Sequence, residues 1–147
     1  MKLILPNSMD SSQPTSLDDY CRHFNCSFFD LRIRCIFCRH FLDLIQLADF
    51  HSKTLSLVWR GCECFACCTN CARLSAKFEF ESYYRCSIPA VIIEDIVKQK
   101  LHQLIVRCYL CLRLLDTVEK YDSVCRGDSF HLVRQGWKGI CRICASK

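Results

Sequence analysis

Short apolar runs separated by polar breaks organise the chain. Leu31 to Phe37, Leu55 to Trp59, Ile105 to Tyr109 and Phe130 to Val133 are rich in strand-favouring residues and predict strands. Asp43 to Phe50 and Leu114 to Tyr121 predict short helices between them. Leu17 to Phe24 predicts a further helix with Ser16 as its N-cap. Ala72 to Tyr84 contains no Gly or Pro and sets Leu74 with Phe78, and Ala76 with Phe80, at helical spacing. This segment reads as a connecting helix whose aromatic stripe is core rather than recognition surface. Ser87 reads as the cap of the next helix, with Pro89 in its first turn and Ile92, Ile93, Ile96 and Val97 on its apolar face. Residues 1–16 read as a mobile arm, with Met9 as an alternative start.

The runs repeat. Cys35-x-x-Cys38 recurs as Cys108-x-x-Cys111, and Cys68-x-x-Cys71 as Cys141-x-x-Cys144, both at an offset of 73 residues. The two pairs of each half are separated by 29 residues. Leu31 and Leu104, Arg34 and Arg107, Leu42 and Leu115, Asp43 and Asp116, and Ala72 and Ala145 match at the same offset. The chain is therefore an internal duplication. The offset also settles which cysteines matter in the run Cys62 to Cys71. Cys64 and Cys67 map onto Trp137 and Ile140, whereas Cys68 and Cys71 map onto cysteines.

A Cys-x-x-Cys turn presents two thiolates to one tetrahedral metal, and two such turns close a four-sulfur zinc site. The expected ligands are Cys35, Cys38, Cys68 and Cys71 for one zinc ion and Cys108, Cys111, Cys141 and Cys144 for a second. Each half is too short to build an ample apolar core, so the metal substitutes for it, and four thiolates leave no open position for catalysis. The expected fold class is α/β, as two small zinc-stabilised α+β modules. The expected organisation is an arm over 1–16, a first zinc domain over 17–71, a linker helix over 72–86 and a second zinc domain over 87–147. The clustered cysteine runs of ferredoxins differ from these long gaps, which argues against iron–sulfur.

Composition enters only where it changes this picture. Fifteen of 147 residues are cysteine, an odd number that excludes a fully paired intrachain disulfide framework. No secretory signal and no membrane-length apolar run is read, so an intracellular, reducing setting is expected. The formal charge of +5 falls to about +1 once eight thiolates and two zinc ions are counted. That weakens a nucleic-acid reading based on 20 Lys and Arg residues. Cys21, Cys26, Cys62, Cys64, Cys67, Cys86 and Cys125 read as small buried residues or exposed thiols.

The eight-cysteine spacing resembles that of the papillomavirus early protein six family, a group of small viral oncoproteins. Val58-Trp59-Arg60, Phe130-His131 and Trp137-Lys138-Gly139-Ile140-Cys141 strengthen the resemblance, which covers about residues 17–144. It implies a non-enzymatic adaptor in which two zinc modules and the linker helix hold an acidic Leu-x-x-Leu-Leu helix. The implied partners are a HECT-type ubiquitin ligase, redirected onto host proteins including the pro-apoptotic factor Bak, and Mastermind-like coactivators of Notch signalling. Degradation of host factors, blocked apoptosis and altered host transcription follow, in host cytoplasm and nucleus. An N-terminal-module homodimer is expected on the same grounds.

Carried over in register, the implied groove positions are Phe37, Leu55, Ser56, Cys67, Ser75 and Phe78, and the basic clamp is Arg107. Leu55 and Phe78 are equally well read as core, and Arg107, like Arg34, as structural. A further family arginine position falls on Gly136, with Arg134 as its substitute. Ser75 replaces an aromatic found in some relatives. The terminal Lys147 does not fit a PDZ-binding tail, so PDZ partners are not expected and a cutaneous or low-risk type is. Two readings compete with the adaptor: a zinc-dependent nucleic-acid binder that modulates transcription, and an enzyme of RING-ligase or thiol-oxidoreductase type.

Overall fold

The computed structural model describes residues 13–146. They form two compact units that divide between Ala72 and Arg73.

The first unit opens with α1 (Leu17–Phe24). Ser16 caps it by accepting from the Asp19 N–H, and Asn25 ends it in the left-handed region. A 3-10 turn (Phe28–Asp30) leads to β1 (Arg34–Cys35). α2 (Leu44–Ser52) begins with a capping box, in which Asp43 and Gln46 satisfy one another's backbone N–H groups. β2 (Val58–Arg60) and β3 (Glu63–Ala66) follow. The sheet order is β1-β3-β2, with β1 parallel and β2 antiparallel to β3. Leu17, Leu31, Ile33, Leu47, Phe50, Leu57 and Phe65 fill the core.

The helix α3 (Thr69–Tyr83) contains the boundary between the units. It starts three residues before the linker helix expected at 72 and ends before 86, because β4 (Tyr84–Pro89) takes over the chain. Ser87 therefore does not cap a helix; it lies in β4, paired with His131. The helical segment after Pro89 is a 3-10 turn (Ala90–Ile92) running into α4 (Ile93–Val97). Only Ile93 of its expected apolar face is fully buried, while Ile92 and Ile96 are exposed.

The second unit continues with β5 (Val106–Cys108), α5 (Thr117–Arg126), β6 (Ser129–Val133), β7 (Gly136–Gly139) and α6 (Arg142–Ala145). Its sheet order is β4-β6-β7-β5. The last three strands reproduce the first sheet, with β5 parallel to β7 and β6 antiparallel to it. α5 carries the same capping box, here Asp116 with Glu119. Phe130, Ile93, Leu101, Leu104, Val106 and Leu115 pack around Cys108, Cys111, Cys141 and Cys144.

The duplication extends to the backbone. The residues with positive φ fall into four pairs at the 73-residue offset: Asn25 with Lys98, Arg39 with Leu112, Thr54 with Gly127, and Gly61 with Arg134. The bridges Arg34–Phe41 and Arg107–Leu114 form a fifth pair. Even β4 has a counterpart. Leu57 donates its N–H to the Thr15 carbonyl, and the Trp59 indole donates to the Pro14 carbonyl at 2.7 Å. Residues 13–16 are thus tied to β2 rather than free, and the rest of the expected arm lies outside the described residues. Among those described, no helix is long and apolar enough to cross a membrane.

Candidate metal centres and the second-module cation cluster

Each module brings its four predicted cysteines together. In both clusters the four sulfurs lie within 4.8 Å of one another. A zinc–sulfur bond of about 2.3 Å gives a tetrahedral sulfur–sulfur edge of about 3.8 Å. Cys38 Sγ and Cys68 Sγ are 3.9 Å apart, and Cys111 Sγ and Cys141 Sγ 3.7 Å apart. These separations match a shared metal and are far from a disulfide bond of about 2.05 Å.

The chain shapes each turn to hold anionic sulfur. Phe37 N–H donates to Cys35 Sγ and Leu110 N–H to Cys108 Sγ, each at 3.4 Å. Cys71 N–H donates to Cys68 Sγ and Cys144 N–H to Cys141 Sγ in the same way. Burial pushes the Cys35 thiol up, but the backbone N–H groups of Cys68, Cys38 and Phe37 outweigh it and bring it down to about 7. Cys64 is the opposite case: burial alone pushes it up to about 12. Burial likewise raises Cys67. These two thiols are not part of the first cluster, as the repeat implies. Thiolate-shaped turns, matched spacing and closed four-sulfur geometry make both clusters structural zinc sites. The centres differ in access, since Cys38 is exposed while all four cysteines of the second centre are buried.

The chain matches the family described as Early Protein (E6) over residues 35–144. It belongs to the E6 family. Among the E6 relatives, Protein E6 of Human papillomavirus 4 is 51% identical over 95% of this chain and 99% of its own length. That of Human papillomavirus 65 is 50% identical with the same coverage. That of Human papillomavirus type 60 is 46% identical over 91% of this chain and 94% of its own length. A solved structure, the C-terminal zinc-binding domain of HPV51 oncoprotein E6, aligns at a TM-score of 0.40 and 33% identity, over 44% of this chain and 83% of that one.

The partner positions implied by the E6 resemblance divide between the units. In the first, Leu55 and Cys67 are buried, while Phe37 and Ser56 are half-buried. In the second, Ser75 is buried, Phe78 is 48% exposed, and Arg107 and Arg134 are half-buried. Arg107 Nη1 donates to the Leu112 carbonyl at 3.0 Å. Arg134 Nε meets Glu79 Oε2 at 3.1 Å, and its guanidinium lies 3.5 Å from the Tyr83 ring centre. Tyr83 in turn meets Phe78 edge-on at 6.1 Å. The sequence reading missed Glu79, Tyr83 and Lys138 in this cluster. Burial pushes the Lys138 ammonium down, with Glu79 opposing. Comparison of Lys138 with its repeat mate Phe65 is the signal that reveals it.

Proposed function

We propose that this E6 protein is a non-enzymatic adaptor that captures acidic Leu-x-x-Leu-Leu helices of host proteins. The observation that carries the reading is the continuous surface Phe78–Tyr83–Arg134 on the second module. Two exposed aromatic rings end on a guanidinium that is paired with the chain's own Glu79. Leu74, one helical turn before Phe78, is also exposed. An apolar helix surface beside a half-buried cation suits leucines flanked by carboxylates. On this reading the zinc ions do no chemistry. They hold the turns from which β5 and β7 position Arg107 and Lys138.

The partners proposed are a HECT-type ubiquitin ligase and Mastermind-like coactivators, captured in host cytoplasm and nucleus. Redirected degradation of host proteins such as Bak, blocked apoptosis and altered transcription would follow from the first, and inhibited Notch signalling from the second. The test is titration of the zinc-loaded protein with labelled acidic peptides from each partner, with leucine-to-alanine controls. Saturable binding lost in the controls is expected, and the preferred peptide identifies the pathway. Absence of binding to both, with zinc content verified, would overturn the capture reading.

A further inference from the structure

The helix α1 stops on a pair of cysteines that bind no metal. Asn25 holds φ +52 there, and its N–H donates to the Cys21 carbonyl. The Cys26 N–H donates to the same carbonyl at 3.0 Å. In a helix stop closed in this way the first and last residues, here Cys21 and Cys26, are the ones whose side chains meet. The two thiols are within hydrogen-bonding reach of each other, and both are half-buried and free. Burial first, then Cys26 and Asp18, push the Cys21 thiol up.

The second module fastens the same stop with a different bond. Lys98, the repeat mate of Asn25, holds φ +60 and donates its N–H to the Glu94 carbonyl at 3.0 Å. Glu94 is the mate of Cys21. Its carboxylate accepts from the Leu101 N–H at 2.6 Å and ties the helix end to the next turn, Leu101–Gln103. A thiol is a weak acceptor and does not reproduce a carboxylate's hydrogen bond. Two thiols across the stop can reproduce the fastening covalently. What is fastened matters to the first module. α1 buries Leu17 in the core and sets the Tyr20 and Phe24 rings against Trp59 at 6.2 and 6.3 Å. Cys64 is the third thiol whose charge reaches Tyr20, but burial pushes it up to about 12, which makes it a poor competitor for exchange.

We propose that Cys21 and Cys26 are a redox modification site that closes an intramolecular disulfide across the end of α1 by exchange with a low-molecular-weight disulfide such as glutathione disulfide. The Cys26 thiol loses its proton to solvent and attacks one glutathione sulfur. The glutathione S–S bond breaks, and one glutathione leaves as a thiolate that takes up a proton. The Cys21 thiol then loses its proton and attacks the Cys26 sulfur of the mixed disulfide. The Cys21–Cys26 bond forms and the second glutathione leaves in the same way. Two protein thiols are oxidised, and one glutathione disulfide is reduced to two glutathione thiols. In a reducing compartment such a bond is transient and regulatory. Neither the zinc ligands nor the capture reading enters this chemistry.

The test uses the zinc-loaded full chain as wild type, Cys21→Ser and Cys26→Ser. Each is equilibrated over a series of ratios of glutathione disulfide to glutathione. Free thiols are then blocked with N-ethylmaleimide and the chain is cut with trypsin. Cleavage after Arg22 separates the two cysteines into peptides 3–22 and 23–32. In wild type these peptides are expected to appear linked as the ratio rises and to separate again in excess glutathione. Native mass spectrometry before digestion is expected to show two zinc ions throughout. Linked wild type is expected to melt about 5 °C or more above its reduced form, a rise that neither serine variant shows. The proposal is overturned if both thiols are blocked at every ratio, if each carries its own glutathione, or if either links to Cys64 or another cysteine. It is equally overturned if the link forms only after zinc is lost, or forms without raising the melting temperature.

Discussion

Gly139 is packed so closely that adding one methyl group should be felt by the whole second module. An added Cβ would lie 2.9 Å from both Cδ1 and Cε1 of Phe130 and 3.3 Å from Leu115 Cδ2. Carbon atoms pack best at about 3.5–4.0 Å. Phe130 is fully buried and cannot swing out to solvent. Gly139 does not hold a positive φ, so the penalty is steric and not conformational. Gly139→Ala should therefore destabilise by about 1–3 kcal/mol. The first module shows how the clash is resolved, because Gly139, Phe130 and Leu115 correspond to Ala66, Leu57 and Leu42. A smaller neighbour there accompanies the larger strand residue. Phe130→Leu alone should cost about 1–2 kcal/mol through the void it leaves, less than the loss of a whole ring. The double variant should be more stable than the sum of the single effects by about 1 kcal/mol or more. Urea unfolding of the zinc-loaded chain gives all four corners of the cycle. For a unit of this size, 1 kcal/mol corresponds to a melting shift of about 4–8 °C. Gly139→Ala with wild-type stability, or additive effects in the double variant, would refute the packing reasoning.

Further predictions follow from the same comparison. Thr54 holds φ +58 where the second module has Gly127, so Thr54→Gly should leave stability unchanged or raise it by up to about 1 kcal/mol, measured by urea midpoint. Loss of stability there would show that the Thr54 side chain outweighs its backbone strain. Graded chelator should remove the first zinc before the second, because only the first centre has an exposed ligand, Cys38; simultaneous loss, followed by mass spectrometry, would contradict this. Burial holds the His131 imidazole below its ordinary value, so the unfolded chain takes up the proton more readily. Stability should therefore rise with pH through the window below about 6.5, and His131→Gln should flatten that slope, with zinc content held constant.

The metal ligands, the duplication and two helix starts were legible because they depend on local chemistry, while the helix expected from Leu114 begins only at Thr117. Ser16 caps α1, and helices begin just after Asp43 and Asp116, where short polar side chains satisfy free N–H groups. The strands were less legible. β1 is only Arg34–Cys35, not the run from Leu31 to Phe37, because its register with β3 ends at Cys35–Ala66, where the Ile36 N–H donates to the Ala66 carbonyl and the chain turns into the first Cys-x-x-Cys loop. β3 and β7 were not expected, since Glu63–Ala66 and Gly136–Gly139 carry no strong strand preference and are fixed by pairing on both sides. Ser87 looked like a cap because Pro89 and an apolar run follow it. Pairing of β4 with β6 overrides that local signal. Among the implied groove residues, Leu55 is buried in the structure, consistent with its reading as core. A charged substitution at Leu55 would test folding before it tested capture. Phe78 and Arg134 are the cleaner probes, since Phe78 is exposed and Arg134 is held by side chains rather than by core packing.

The most direct measurement is native mass spectrometry of the purified chain and of Cys108→Ser. Wild type should carry two zinc ions, and Cys108→Ser should keep only the one bound by Cys35, Cys38, Cys68 and Cys71, with the second-module core exposed. A wild type holding no zinc, or a Cys108→Ser variant that retains two ions and an unchanged fold, would contradict two closed four-cysteine centres as the basis of the structure.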